Sequence, residues 1–361
     1  MKEKLSAFHV TILIYMTQVG VYSFSLPRLL AQHFGTNGWL AILILAPVVF
    51  LNTAIIAVVY RLAKGKSVLE MMERSISKVL LFPIYLFLCC FWVTIGCLAA
   101  KEYILIFQII AFSSTNPMVF MFTFCALAYL LINKEIYNIA KVSTIFYIIT
   151  VWILFLFLFF YHDVRLTRLT PFIFQGGNPD KIKGFFDAYP AFLGYELTIL
   201  LFPYSDKKTH LMRSAFVSSG MVTISYVFIS FISFGFFSLG QLKVLQYPIL
   251  NLFAYVHLPL IERIENLLYG FLLFTTMITT AMNSWAAVEV GKRMFPKLKN
   301  AVLSFVIILF GYMISFIPKV LMEAQRWLQY AGYIEIGFAF GFPIALILLL
   351  LIQRSRGELQ P

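Results

Sequence analysis

Thr17-Gln18-Val19-Gly20-Val21-Tyr22-Ser23-Phe24-Ser25-Leu26-Pro27-Arg28 interrupts the first long apolar run of the chain, and Tyr189-Pro190-Ala191-Phe192-Leu193-Gly194-Tyr195-Glu196 interrupts the sixth. An unsatisfied backbone group in hydrocarbon costs several kcal/mol, so a spanning helix stays continuous unless a break lines a cavity. The first stretch puts an amide, Gln18, and a glycine, Gly20, near mid-membrane, with Pro27 beyond. The second puts Pro190, Gly194 and the carboxylate Glu196 near its centre. Taken singly, each reads as a packing kink, because Gly and Pro are common in spanning helices. Their placement in the first and sixth of ten runs changes that reading.

The surrounding composition makes these runs membrane spans. The chain is 61% hydrophobic and only 12% charged, with 39 Phe, and its mean hydropathy is +0.88. A soluble domain carries about 25% charged residues. Apolar runs lie near 8–30, 38–60, 79–110, 118–132, 142–161, 185–203, 213–238, 267–290, 301–317 and 331–352. At roughly 20 apolar residues per span, about ten spans fit, and the expected class is an all-α integral membrane protein. The run after Lys2 and Lys4 reads as a retained first helix, not a cleaved signal. The net charge of +12 sits in short loops between spans, which argues for no nucleic-acid partner. The larger share of the lysines and arginines falls in alternate loops, among them Lys64, Lys66, Arg74, Lys78, Lys292, Arg293, Lys297 and Lys299. The positive-inside rule then places both termini in the cytoplasm. Segment 66–78 reads as an amphipathic surface helix on that side. Segments 162–184 and 239–266 are the longest on the other, the second containing short amphipathic helices around Tyr247–Phe253 and Leu258–Arg263.

Five spans per half is an odd number, so the second half enters from the opposite face. The expectation is one transmembrane domain, 1–361, built from inverted repeats at about 8–161 and 185–352, with a midplane ligand site at the paired breaks. A half-helix starting near Tyr22 offers free N–H groups to a carboxylate. Half-helices ending near Thr17 and Ala191–Leu193 offer carbonyls to an ammonium group. A zwitterionic amino acid satisfies both.

At these breaks the chain resembles a known family. Gly20 followed by Leu26-Pro27-Arg28, the segment Phe192-Leu193-Gly194-Tyr195-Glu196, the later Ile261-Glu262-Arg263-Ile264-Glu265 and the ten-span length look like the B subunit of GerA-type spore germinant receptors, within the amino acid–polyamine–organocation superfamily. The resemblance implies a LeuT-like fold in the inner membrane of a bacterial endospore. It implies a small nutrient ligand, commonly an L-amino acid, and partnership with A and C subunits. The chain departs from the usual glycine-x-glycine break, since Tyr22 stands where a second glycine is common; its bulk would narrow the pocket or add a hydroxyl contact.

In the LeuT-like arrangement spans one, three, six and eight line the site. The ligand candidates are therefore Val19, Gly20, Val21 and Tyr22; Trp92, Gly96 and Ala100, which share a helix face at i, i+4, i+8; Leu193; and, from the stripe Thr275, Thr276, Thr279, Thr280 and Asn283, Thr279, which the resemblance implies by its position from Glu262-Arg263 in the family pattern. Gln18, Pro190, Gly194 and Glu196 form the break or couple protons. Small residues also serve close helix packing, and threonines bond their own helix. Lys101 and Glu102 lie in the outer part of the third span, Arg28 can snorkel, and Glu289 and Glu335 read as interfacial. Cys89, Cys90, Cys97 and Cys125 read as packing residues. The five histidines show no metal-ligand spacing, and no phosphate loop or nucleophile elbow is present, so no cofactor and no enzymatic activity are expected. Two functions share this fold: a germinant receptor subunit, and an amino-acid secondary transporter coupled to protons. The absence of a lysine within 142–161 weighs slightly against the proton-coupled form. A third reading is an ion-conducting or scaffold subunit without a ligand.

Overall fold

The computed structural model describes residues 5–111, 114–170, 172–206, 208–256 and 264–355. Regular structure among them is helical, apart from an isolated bridge between Gly35 and Gly176. The helices are α1 (Ala7–Gln18), α2 (Tyr22–Phe34), α3 (Ala41–Ala63), α4 (Val68–Ser75), α5 (Lys78–Ala111), α6 (Pro117–Ile132), α7 (Ile136–Leu156), α8 (Lys181–Ala188), α9 (Leu211–Phe236), α10 (Leu239–Val244), α11 (Pro248–Phe253), α12 (Ile264–Met294), α13 (Asn300–Ile314) and α14 (Leu321–Ser355).

Among the described residues seven segments are long and apolar enough to cross a bilayer, and α1 with α2, bent by 56°, makes an eighth. The remaining two expected runs are α6 and α13, of 16 and 15 residues. At 1.5 Å per residue they reach about 24 and 22 Å, short of a roughly 30 Å hydrocarbon core. The protein is an integral membrane protein. At 34 residues, α5 is about 51 Å long and extends beyond the core.

Polar contacts sort the helix ends into two faces. At one, Thr209 donates to the Leu5 carbonyl (2.7 Å), Gln353 to the Met71 carbonyl (2.7 Å), and Arg293 pairs with Glu70 (3.0 Å). At the other, Gln325 donates to Tyr247 (2.6 Å), Tyr247 to Glu102 (3.0 Å), and Thr36 exchanges backbone bonds with Phe174 and Gln175. Helix α4 has Val68, Leu69, Met71 and Met72 buried, as an amphipathic surface helix should. In α11, by contrast, Pro248, Ile249, Leu250, Leu252 and Phe253 are all buried, so this helix is packed under neighbours instead of lying on the face. The Leu258–Arg263 segment lies outside the described residues.

Two boundaries differ from the apolar runs. Helix α14 starts at Leu321, not near 331, because Gln325 and Gln329 continue the helix as hydrogen-bonding residues. Helix α7 likewise starts at Ile136, with Asn138 and Lys141 inside it and Lys141 over the Tyr137 ring (4.2 Å). The broken first helix lies at the centre, α1 packing against α7, α9 and α12, while α5 runs along α12.

Candidate functional site

The two breaks meet. Helix α1 stops at Gln18; Val19 turns out of helical geometry (ψ 90°) and α2 restarts at Tyr22. In the sixth span Leu193 is extended and Gly194 takes φ +115°, a conformation open to glycine. A Cβ on Gly194 would stand 3.0 Å from Thr17 Cγ2 and 3.1 Å from the Thr17 carbonyl oxygen. The chain there continues as a 3-10 helix, Tyr195–Tyr204, longer than such helices usually run and of the kind that marks hinges.

Hydroxyls stitch the breaks together. Tyr226 on α9 reaches the Ala191 carbonyl (2.8 Å) and the Gln18 carbonyl (3.3 Å), so one side chain joins both interrupted helices. The Thr279 hydroxyl lies within reach of the Met16 and Thr17 carbonyls (3.3 and 3.1 Å) as well as its own helix. Gly20 faces the same threonine: a Cβ there would sit 3.4 Å from Thr279 Oγ1. The Gln18 side-chain amide donates to Ser218 (3.2 Å), and its Oε1 is buried with no partner among the described residues.

The positive ends of the two restarted half-helices differ. In the sixth span, Glu196 turns back to accept from the Gly194 N–H (2.8 Å), a carboxylate capping its own helix start. In the first, α2 has no side-chain cap, and among the described residues no acceptor lies on the N–H groups of Gly20, Val21 or Tyr22. Bare N–H groups at a helix start attract an anion or carboxylate.

Beside this break is a cavity of about 70 Å³, bordered by Val19, Ser23, Tyr147, Thr150, Ser225 and Thr275, with Tyr15 and Tyr226. That is room for about two waters. Its open surface is almost wholly apolar, the hydroxyls of Ser23, Thr150, Tyr226 and Thr275 being turned to backbone carbonyls. Two larger cavities, about 590 and 260 Å³, open at the terminus-bearing face around Glu289 and Lys292, and neither includes residues of the breaks.

The expected site residues divide into three groups. Gln18, Val19, Gly20, Val21, Leu193, Gly194, Glu196 and Thr279 lie at or beside the junction. Tyr22 instead donates to the Leu328 carbonyl on α14 (2.5 Å), and Cβ atoms on Gly332 would meet both its hydroxyl and Pro190; it wedges α2 against α14. Trp92, Gly96 and Ala100 are buried in helix packing and do not border the 70 Å³ cavity. Trp92 stands edge-on to Phe338 (5.4 Å), and Gly96 lies against α12, where Thr280 donates to its carbonyl (2.9 Å). Ser225, Tyr226, Tyr147 and Thr150 escaped sequence reasoning, since lone hydroxyls in apolar runs carry no local signature.

Charged residues also occupy places that differ from expectation. Glu335 is not interfacial: with α14 starting earlier it is buried (5% exposed) and lies beside Glu196. Lys101 and Glu102 are both buried, Lys101 against Met118 Sδ (3.1 Å) and Glu102 under the Tyr247 hydroxyl. Burial and the neighbouring Glu102 carboxylate push the Tyr247 hydroxyl well above its ordinary range, so it remains a donor. Arg28 lies close enough to act on both. Glu289 accepts from Tyr204 (2.8 Å) and pairs with Lys292 (2.5 Å). Near the far face, Asp187 on α8 pairs with His33 on α2 (2.8 Å) and accepts from Gln329 (2.9 Å) and Tyr333 on α14.

The fold matches that of Mhp1, a nucleobase-cation-symport-1 family transporter solved in a closed conformation with bromovinylhydantoin bound: TM-score 0.66, 15% identity, 98% of this chain and 80% of that one. The chain therefore has a LeuT-like transporter fold. In sequence it is similar to spore germination protein B2 of Bacillus subtilis (strain 168), 24% identical over 99% of both chains. It is similar also to spore germination protein GerQB of Bacillus cereus, 23% identical over 99% of this chain and 98% of that one. Residues 4–324 match the family described as spore germination protein, and the chain belongs to that family of spore permeases.

Proposed function

We propose that this protein is the ligand-sensing B subunit of a nutrient-germinant receptor. It would bind a small nutrient, an L-amino acid, at the junction of the broken helices and trigger germination with A and C subunits in the spore inner membrane, both termini facing the core. The halves 8–161 and 185–352 are read as inverted repeats. Membership of the germination family supports the setting. One observation carries the ligand class: the start of α2 is uncapped, while Glu196 caps the equivalent start in the sixth span. A ligand carboxylate completes the first as Glu196 completes the second. The carbonyl ends of α1 and Ala191, now held by Thr279 and Tyr226, would receive the ammonium group once those hydroxyls turn. Trp92, Gly96, Ala100 and Leu193 would shape the side-chain end of an opened pocket.

The test is nutrient response in spores carrying wild type, Gly20→Leu or Thr279→Leu, with subunit levels measured in the inner membrane. Loss or altered nutrient selectivity with normal levels is expected. An unchanged response would remove the ligand from this junction. Uptake of labelled amino acid by purified protein in vesicles would instead favour a proton-coupled transporter, the second reading that the Mhp1-like fold supports.

A further inference from the structure

We infer that Glu196 and Glu335 form a buried carboxyl pair that binds one proton between the break of the sixth span and α14. The argument starts from hydrogen-bond supply. Glu196 is 1% exposed, and its Oε2 accepts from the Gly194 N–H (2.8 Å). Its Oε1 is buried with no donor. A buried acceptor left unsatisfied costs about 1–3 kcal/mol, more for a charged group. Glu335, itself 5% exposed, lies on the face of α14 that carries Gly332, packed on Pro190, and Ala339, tied through Asn52 to Tyr195, and its carboxyl stands beside Glu196. Two adjacent buried carboxyls do not both ionise. A proton on Glu335 supplies the missing donor to Glu196 Oε1 and leaves Glu196 charged to cap its helix. The pair then holds one proton and one negative charge.

The ionisable groups facing the pair are tyrosines: Tyr189 and Tyr195 from the sixth span and Tyr22 from α2. Tyr189 and Tyr195 bond each other through their hydroxyls (2.7 Å), and Asn52 of α3 donates to Tyr195 (2.9 Å) and to the Ala339 carbonyl one turn beyond Glu335 (3.0 Å). These groups bring no positive charge to the pair. Its two members belong to elements that a hinge at Gly194 would move relative to each other. Separation of the pair would then release or exchange the proton, linking the break to protonation whatever solute is recognised.

The experiment is infrared difference spectroscopy of the full-length protein in nanodiscs, with no nutrient added. A protonated-carboxyl C=O band that exchanges slowly with deuterium is expected at neutral pH. Glu335→Gln should abolish it, Glu335→Asp should shift it, and Glu196→Gln should shift it while leaving it present. Absence of the band in wild type, or a band indifferent to both changes at Glu335, overturns the inference. The readout needs no germination, so its failure leaves the receptor reading standing, and the failure of that reading leaves the pair intact.

Discussion

Gly194→Ala tests the junction directly. The backbone sits at φ +115°, ψ −24°, where an L side chain costs about 1–3 kcal/mol. The new methyl would also press on Thr17, 3.0 Å from its Cγ2 and 3.1 Å from its carbonyl carbon and oxygen. Overpacking of this kind costs typically about 1–3 kcal/mol, and the backbone of α1 has little freedom to yield. Together the two terms give a central value of about 4 kcal/mol, roughly a thousandfold in the folding equilibrium. Gly220→Ala is the matched control. It lies within α9, and its Cβ would have only Phe50 Cζ at 4.0 Å, so a gain of about 0.4–1 kcal/mol is expected. Denaturant unfolding of both variants in the same detergent gives the comparison. If Gly194→Ala stays within about 1 kcal/mol of wild type, the sixth break is neither fixed at positive φ nor pressed against α1, and the reasoning fails.

Other consequences follow from single contacts. Gly20→Ala places its methyl at ordinary contact distance from Thr279 and should fold normally, whereas Gly20→Leu must displace that threonine at about 1–3 kcal/mol; melting curves separate them. Thr279→Val leaves the Met16 and Thr17 carbonyls without that hydroxyl and should lose about 1–3 kcal/mol, while Thr279→Ser should recover most of it. Tyr226→Phe removes a hydroxyl shared by both breaks, and amide exchange should rise at Gln18–Val21 and Ala191–Gly194 while α13 is unaffected. Asp187→Asn removes the charge facing His33 and should weaken the α2–α8–α14 contact by about 2 kcal/mol, read as faster labelling of a cysteine placed at Gln32.

The broken helices were legible because glycine, proline and polar residues inside an apolar run have few other physical explanations. The amphipathic helix α4 was legible for a similar reason, its apolar residues recurring at helical spacing. Thr279 was found through its position relative to a family motif, not through any property of threonine. What escaped was of another kind. Tyr226 joins carbonyls 35 and 208 residues away, and no local pattern encodes such a pairing. Trp92 and Gly96 share a helix face as their spacing requires, but spacing does not tell whether that face meets a ligand or another helix; here it meets α12 and α14. Glu335 was misplaced because the first turns of α14 are polar, which moved the apparent start of the span and with it the depth of every residue after it.

A cavity of about 70 Å³ does not admit an amino acid without movement, so the binding proposed at the junction would be coupled to opening. The contacts that resist opening are unequal at the two faces. At one, Asp187 gathers His33, Gln329 and Tyr333 from α2 and α14, the Asp187 and His33 side chains buried and the other two half-buried. At the other, Arg293 reaches Glu70 and Glu73 across 3.0 and 3.6 Å, with Glu70 half exposed. Exposed ion pairs contribute little, about 0–1 kcal/mol, whereas each hydrogen bond to a charged group such as the Asp187 carboxylate contributes about 1.5–3 kcal/mol. By these contacts alone the terminus-bearing face would open more readily. A ligand arriving from the opposite face must overcome the Asp187 cluster, and it can do so only by binding the opened junction more tightly than the closed one. On the reading proposed above, a ligand carboxylate held at the start of α2 would act on the helix that also carries His33, the residue that the cluster holds.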